Sequence, residues 1–358
     1  MLRYALTRPE VAFNVEAIAS FFSGKRVLIT GAAGSIGSAL AVRLAQIGCA
    51  HLTLLDQFDH GLIDAIDAVR REAPSQQVDD LLCDVRDANR LDACIRRAQP
   101  DIVIHSAALK HVHMGERHPV ECVLTNLVGV RNALAAATNA GAGHFILVSS
   151  DKAAAPTCVM GATKRLAELH LRGFAMESRA PIQVRAVRFG NVLGTQGSVL
   201  PRWRDQIEKG GPLEVTHADM ERFFMSADEA VSLILSAAAA KDATNAATYY
   251  MEMGASISIL DMGRQMIAES GRDVEIKFTG LRPGEKLKEQ LFDDYEHAEA
   301  TSLPNVFSVT PHSADAYVTG ADIAHLESIA RTMDNAVVRQ RVFAHLDERL
   351  GREDKIAG

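Results

Sequence analysis

The stretch "SSDKAAAPTCVMGATK", residues 149–164, groups side chains that can move protons. Ser150, Asp151 and Lys152 are adjacent; Met160 and Lys164 follow, four positions apart. An aspartic acid can give a proton. A lysine can take one once desolvation or nearby positive charge makes it neutral. Met160 cannot titrate. Residues four apart on a helix share a face, so Met160 and Lys164 look the same way. Taken singly, Asp151-Lys152 is a solvated pair, Met160 is core and Lys164 is a surface charge. Their shared position tips the reading. They follow the apolar run "HFILV", and open α/β sheets bind ligands outside the carboxyl ends of their strands.

A second constellation needs the same placement. "KRVLIT" is a short β-rich run, "GAAGSIG" follows, and "SALAVRLAQIG" has helical spacing. Gly31, Gly34 and Gly37, with Ser35 and Ile36 between them, form a turn that lets backbone approach a pyrophosphate at a helix N-terminus. Asp56 ends the next strand, 19 residues after Gly37. A carboxylate there accepts both adenosine ribose hydroxyls and repels a 2′-phosphate, so NAD is expected over NADP. Asp84 and Val85 would border the adenine. Ala107 and Ala108 would let backbone pass close to the cofactor.

The elements that must hold these residues alternate. Strands are expected at 25–30, 51–56, Val78–Cys83, Asp101–His105, His144–Ser149, Ile182–Phe189 and Thr248–Met253, with helical patterns such as 120–140 and 160–178 between them. That alternation predicts an α/β fold, a doubly wound parallel sheet covered on both faces, with a smaller substrate-binding region. The expected division is an N-terminal extension at 1–23, a Rossmann domain at 24–190 plus 248–274, a substrate region at 191–247 plus 275–330, and a peripheral helical tail at 331–358.

Composition limits the partners. With 47% hydrophobic residues and a net charge of −7, the chain reads as globular and unsuited to nucleic acid. Five scattered cysteines without Cys-x-x-Cys suggest neither disulfides nor zinc, and fit a reducing cytoplasm. No run of about 18 apolar residues is present, so no membrane span is expected. His105, His111, His113 and His118 invite a metal, but no third ligand is evident and none is expected.

The glycine spacing resembles the extended short-chain dehydrogenase/reductase superfamily, in which Met160-x-x-x-Lys164 occupies the place of Tyr-x-x-x-Lys. "KRVLITGAAGSIGS", "ALKHV", "VSSDKAAAPTCVMGATKRLAE", "VRFGNVLGTQGSVLPRW" and "GLRPGEKLKEQL" are similar to the bacterial UDP-N-acetylglucosamine 4,6-dehydratases, over residues 7 to 295. The resemblance implies Asp151 as acid, Lys152 as C5 base and Lys164 on the nicotinamide ribose. It implies Met160 as the mark of a group that retains C5 configuration. Lys164 is expected to supply the positive charge that neutralises Lys152. The implied substrate is a UDP-sugar. Asn191, Arg202 and Arg282 would meet its phosphates, Glu285 its ribose, and Lys110 its sugar. Many relatives carry N-terminal membrane helices. Helices 120–140 and 160–178 would pair in a homo-oligomer. A UDP-hexose 4-epimerase and a non-catalytic NAD sensor are the competing readings.

Overall fold

The structure is a computed structural model describing residues 8–195, 197–241 and 245–352. Residues 1–7 of the expected extension and 353–358 of the tail lie outside the described residues.

Strands β1 (Arg26–Thr30), β2 (His51–Asp56), β3 (Val78–Leu82), β4 (Ile102–His105), β5 (His144–Val148), β6 (Gln183–Arg188) and β7 (Thr248–Met251) run parallel in the order β3-β2-β1-β4-β5-β6-β7. The sequence explains the centre. β1, β4 and β5 carry "VLIT", "IVIH" and "FILV", all buried. Such runs do not alternate because helices cover both faces. β3, "VDDLL", is mostly uncovered, as an edge strand can be.

Helix α1 (Ser35–Ile47) lies on one face with helices 15–22, 59–72 and 227–239. There Phe22, Leu40, Leu44, Leu62 and Ile234 pack on Val27, Ile29 and Ile104. Helices α2 (Pro119–Asn139) and α3 (Val159–Glu177) lie on the other. There Leu127, Leu134 and Leu166 pack on Leu28, Val103 and Phe145. By length and mean hydropathy α2 is the one helix among the described residues that could cross a membrane, but 67% of its most apolar window is buried in this fold.

Four expectations about organisation change. Helix 227–239, placed by sequence in the substrate region, instead packs on the main sheet through Val231, Ile234 and Ala238. Residues 296–311 do not join a substrate region. They form strands β8 (Glu296–Ala300) and β9 (Val306–Pro311), which extend the main sheet antiparallel beyond β7. Helix 259–270, assigned by sequence to the Rossmann domain, instead packs in a small lobe. Its Met262 shares a core there with Trp203, Ile207, Leu213 and Phe224. The tail is not peripheral. Helices α4 (Gly320–Thr332) and α5 (Asn335–Leu350) lie over α2 and α3, with Ile323, Val342 and Leu346 fully buried. The face that the homo-oligomer expectation reserved for a second copy is therefore covered by the chain itself.

Candidate active site

A cleft of about 750 Å³ opens at the carboxyl ends of the central strands, where the strand order reverses between β1 and β4. Gly31, Gly34, Ser35, Ile36, Asp56, Asp84, Val85, Ala107 and Ala108 line one half. Gly37 sits buried in the first turn of α1. Gly31 has φ +71°, and a Cβ there would lie 2.4 Å from the Ala107 nitrogen. Only glycine lets the β1 and β4 turns approach this closely. Gly34 caps α1 without a side chain, and the first turn holds no acidic residue. The positive end of α1 therefore faces the cleft, as an anion needs.

Asp56 anchors this half. Its Oδ2 accepts from Ala33 N–H at 3.0 Å, and its Oδ1 accepts from Phe58 N–H at 3.1 Å. The glycine turn and the carboxylate are thus held in one geometry. Asp84 is turned to Arg86, whose Nε donates to it at 2.8 Å. Burial opposes ionisation of Asp84, but hydrogen bonds from Arg86 outweigh it and hold the carboxyl below its ordinary value.

Ser149, Ser150, Asp151, Lys152, Met160, Lys164, Lys110 and Asn191 line the other half. After β5 the chain stays beside the end of β6, with Asp151 N–H donating to the Phe189 carbonyl at 3.0 Å. Residues Asp151–Ala153 then make one tight turn, capped by the Ser150 side chain. This turn rests on α3 at Gly161, where a Cβ would sit 2.2 Å from the Lys152 carbonyl oxygen. The result is a compact proton-transfer group. Ser150 Oγ donates to Asp151 Oδ1 at 2.9 Å, and Lys152 Nζ donates to the same oxygen at 3.0 Å.

The two lysines differ in electrostatics, and one expectation is overturned. Burial alone would lower Lys152, but Asp151 and Glu289 outweigh it and push its pKa above the ordinary lysine value. Of the two, Lys164 is the lysine whose pKa is lowered. Its Nζ donates to the Val148 carbonyl at 2.9 Å, and desolvation, partly opposed by Glu168 and Cys122, brings it to about 8. Lys152 is thus raised rather than lowered, and the cation that opposes the rise is Arg222, so the neutralising role expected of Lys164 is not seen.

Arg202, Arg282 and Glu285 do not line the cleft. Arg202 is half exposed and pairs with Glu214. Glu285 folds back to accept from Arg282 N–H at 3.1 Å, so both close their own turn. The phosphate and ribose roles expected of these three are not met by their positions here. His105, one of the four histidines weighed as ligands, is wholly buried and bonds Thr30 Oγ1 at 2.9 Å. Burial, with Lys164 nearby, brings it to about 3, so it stays neutral.

Several site residues gave no sequence signal. Asn126 lies in a wider-wound segment of α2, Val123–Val128, of the kind often found at functional sites. It accepts from Leu109 N–H at 2.8 Å and donates to the Leu109 carbonyl at 3.0 Å, fixing the loop after β4. Behind the catalytic turn, Ser149 Oγ donates to Glu168 at 2.6 Å. Glu168 and Glu296 share Arg188 and Arg165 in a four-charge network, all buried. Glu289 reaches Lys152 at 3.5 Å from "GLRPGEKLKEQL". That motif was singled out for Arg282 and Glu285 only.

Known proteins share this architecture. Probable polysaccharide biosynthesis protein EpsC of Bacillus subtilis is 38% identical over 299 residues, 82% of this chain and 49% of that protein. The chain thus spans about half the length of that relative. UDP-glucose 4-epimerase of Rickettsia conorii is 29% identical over 340 residues, covering 93% of this chain and 94% of that one. Among solved structures, Pen from Bacillus thuringiensis matches with a TM-score of 0.74 and 32% identity, over 81% of this chain and 88% of that one. A dTDP-glucose 4,6-dehydratase from Streptomyces venezuelae, DesIV, solved with NAD bound, matches in fold with a TM-score of 0.67. It is 20% identical, over 86% of this chain and 96% of that one. The polysaccharide biosynthesis protein family model matches residues 27–311. With that match running from β1 through β9, the chain belongs to the polysaccharide biosynthesis protein family.

Proposed function

We propose that this chain dehydrates UDP-N-acetylglucosamine, or a close UDP-N-acetylhexosamine. The product is the 2-acetamido-2,6-dideoxy-4-keto sugar, made for surface polysaccharide or glycan synthesis. NAD is the proposed cofactor. The Gly31 close approach, the open N-terminus of α1 and the Asp56 carboxylate fit a dinucleotide. A bound nicotinamide would supply the hydride chemistry, an acceptor for the C4 hydride and a donor to C6, with no net change in the cofactor.

One observation carries the reading. Asp151 and Lys152 meet at 3.0 Å beside Lys164, in the cleft where Met160 replaces a titratable tyrosine. Oxidation at C4 alone uses one proton-transfer group. Loss of water across C5 and C6 needs an acid and a base together. Asp151 takes the O4 proton, directly or through Ser150, and gives it to the departing C6 hydroxyl. Lys152 removes the C5 proton and delivers one of its ammonium protons, exchangeable with solvent, to the same face, which retains configuration. Lys164 holds the nicotinamide ribose. Lys110 and Asn191 line the substrate side.

The test is the product of UDP-N-acetylglucosamine with catalytic NAD. A product lighter by one water, with no net NADH, supports dehydration. The name of the Rickettsia relative favours a second reading, UDP-hexose 4-epimerase, in which Asp151-Lys152 is idle and product mass is unchanged. Turnover of either kind excludes a non-catalytic NAD sensor.

A further inference from the structure

Lys152 is held between two carboxylates, and the second comes from a distant segment. Its Nζ lies 3.0 Å from Asp151 Oδ1 and 3.5 Å from Glu289 Oε1. The Glu289 side chain is 4% exposed, so it is not a solvated surface charge. Arg222 fixes its position. Arg222 donates to the carbonyls of Glu221, Leu287 and Lys286, and its Nε lies 4.0 Å from Glu289 Oε1. Cys158 is the further titratable group beside this cluster. Burial pushes it up to about 11, so it stays a thiol. Asp151 Oδ2 and Glu289 Oε2 are both buried and without a hydrogen-bond partner. Each carboxylate keeps one oxygen free to carry a proton.

Proton accounting gives that second oxygen a use. The dehydratase reading, on which this inference rests, needs Asp151 protonated when the C6 hydroxyl leaves and Lys152 neutral when C5–H is removed. The O4 proton fills Asp151. Lys152 must still lose one, and Asp151 can no longer take it. We propose that Glu289 is a positioning residue that holds the Lys152 ammonium at rest and accepts its proton once Asp151 is protonated.

The step balances. A Lys152 N–H bond breaks and a Glu289 O–H bond forms. Desolvation disfavours the Lys152 ammonium, and protonating Asp151 removes one of the two carboxylates that outweigh it, so the step becomes favourable only then. Neutral Lys152 then takes the C5 proton. The Asp151 proton leaves with the C6 hydroxyl as water, and hydride reaches C6. Lys152 gives one of its three ammonium protons to C5 and takes back the proton held by Glu289. Every protein group ends as it began.

Glu289→Gln keeps the shape and removes the proton acceptor; Glu289→Asp keeps the acceptor. Lys152 is titrated by NMR of isotope-labelled lysine in the free protein, and single turnovers with UDP-N-acetylglucosamine follow NADH formation and elimination separately. Lys152 is expected to titrate lower in Glu289→Gln, while NADH forms as in wild type. Elimination is expected to slow at least about 10²-fold, with partial recovery in Glu289→Asp. A carboxylate that merely restrains the ammonium predicts the opposite sign, so unchanged or faster elimination overturns the proposal. So does an unchanged Lys152 titration, or equal loss of both steps in both variants, which assigns Glu289 to structure alone. Wild-type protein that forms no NADH, or no product lighter by one water, defeats the dehydratase reading itself before any variant is made.

Discussion

Met160 is 2% exposed and packs with Cys122, Cys158 and Val159. It is a wall of the cleft and holds no proton. Met160→Leu, a near volume-conserving change, should cost less than about 1.5 kcal/mol in denaturant unfolding. It should also leave kcat within about tenfold, since no general acid or base is lost. Asp151→Asn or Lys152→Ala should instead slow turnover by about 10²–10⁴-fold, measured as product formation. In Asp151→Asn a single turnover should form little NADH, because the O4 proton has lost its acceptor. Normal NADH formation with blocked elimination would remove Asp151 from the O4 step. These residues were legible because an adjacent Asp-Lys pair at a strand end, followed by a helix, has few geometries. Glu289 was not. Glu285 and Glu289 look equivalent in "GLRPGEKLKEQL", and only the Arg222 clamp shows which one turns inward.

The catalytic turn is held from two sides by elements rather than by its own residues. On one side Gly161 lets it rest on α3. Gly161→Ala would place a Cβ 2.2 Å from the Lys152 carbonyl and push the turn toward the cleft. Steady-state kinetics should show kcat falling more than KM rises, since the reacting groups move while the nucleotide end does not. On the other side the buried Glu168–Arg188–Glu296–Arg165 network ties α3, β6 and β8 together. Removing one partner, as in Arg188→Met, should cost about 3–5 kcal/mol in urea unfolding, because a charge stays buried and unpaired. Burial would raise Glu296, but Arg188 and Arg165 hold it near 2, below its ordinary 4.5. Its contribution is present above about pH 4.5 and lost as pH falls from there toward 2. The urea midpoint should drop across that window, and less steeply in Glu296→Gln. The seven parallel strands were readable to within a residue or two, the central ones because doubly covered strands are uninterrupted apolar runs, whereas β8, "EHAEA", and β9 were missed. The wider winding at Val123–Val128 was not, since nothing in "VLTNLV" departs from ordinary helical composition.

At the scale of the molecule, the parallel sheet and its cleft were legible, and the organisation around them was not. Periodicity shows that 320–350 is helical but not what those helices cover. Ile323, Leu326, Val338, Val342 and Leu346 are buried against α2 and α3, each worth about 1.5–3 kcal/mol of apolar transfer. Deleting residues 320–358 should therefore lower Tm and drive self-association through the uncovered face, seen by sedimentation. A truncated chain with unchanged Tm and unchanged assembly would show that the tail does not seal this face. The small lobe was also blurred in sequence, because its core draws on residues from 193 to 274. The central claim, dehydration with internal hydride return, is tested most directly by mass spectrometry and NMR of the product of UDP-N-acetylglucosamine made in D₂O with catalytic NAD. The account predicts a 4-keto-6-deoxy sugar lighter by one water than a sugar of the same isotopic content, with retained C5 configuration and deuterium at C5. A product of unchanged elemental composition, inverted only at C4, would contradict it.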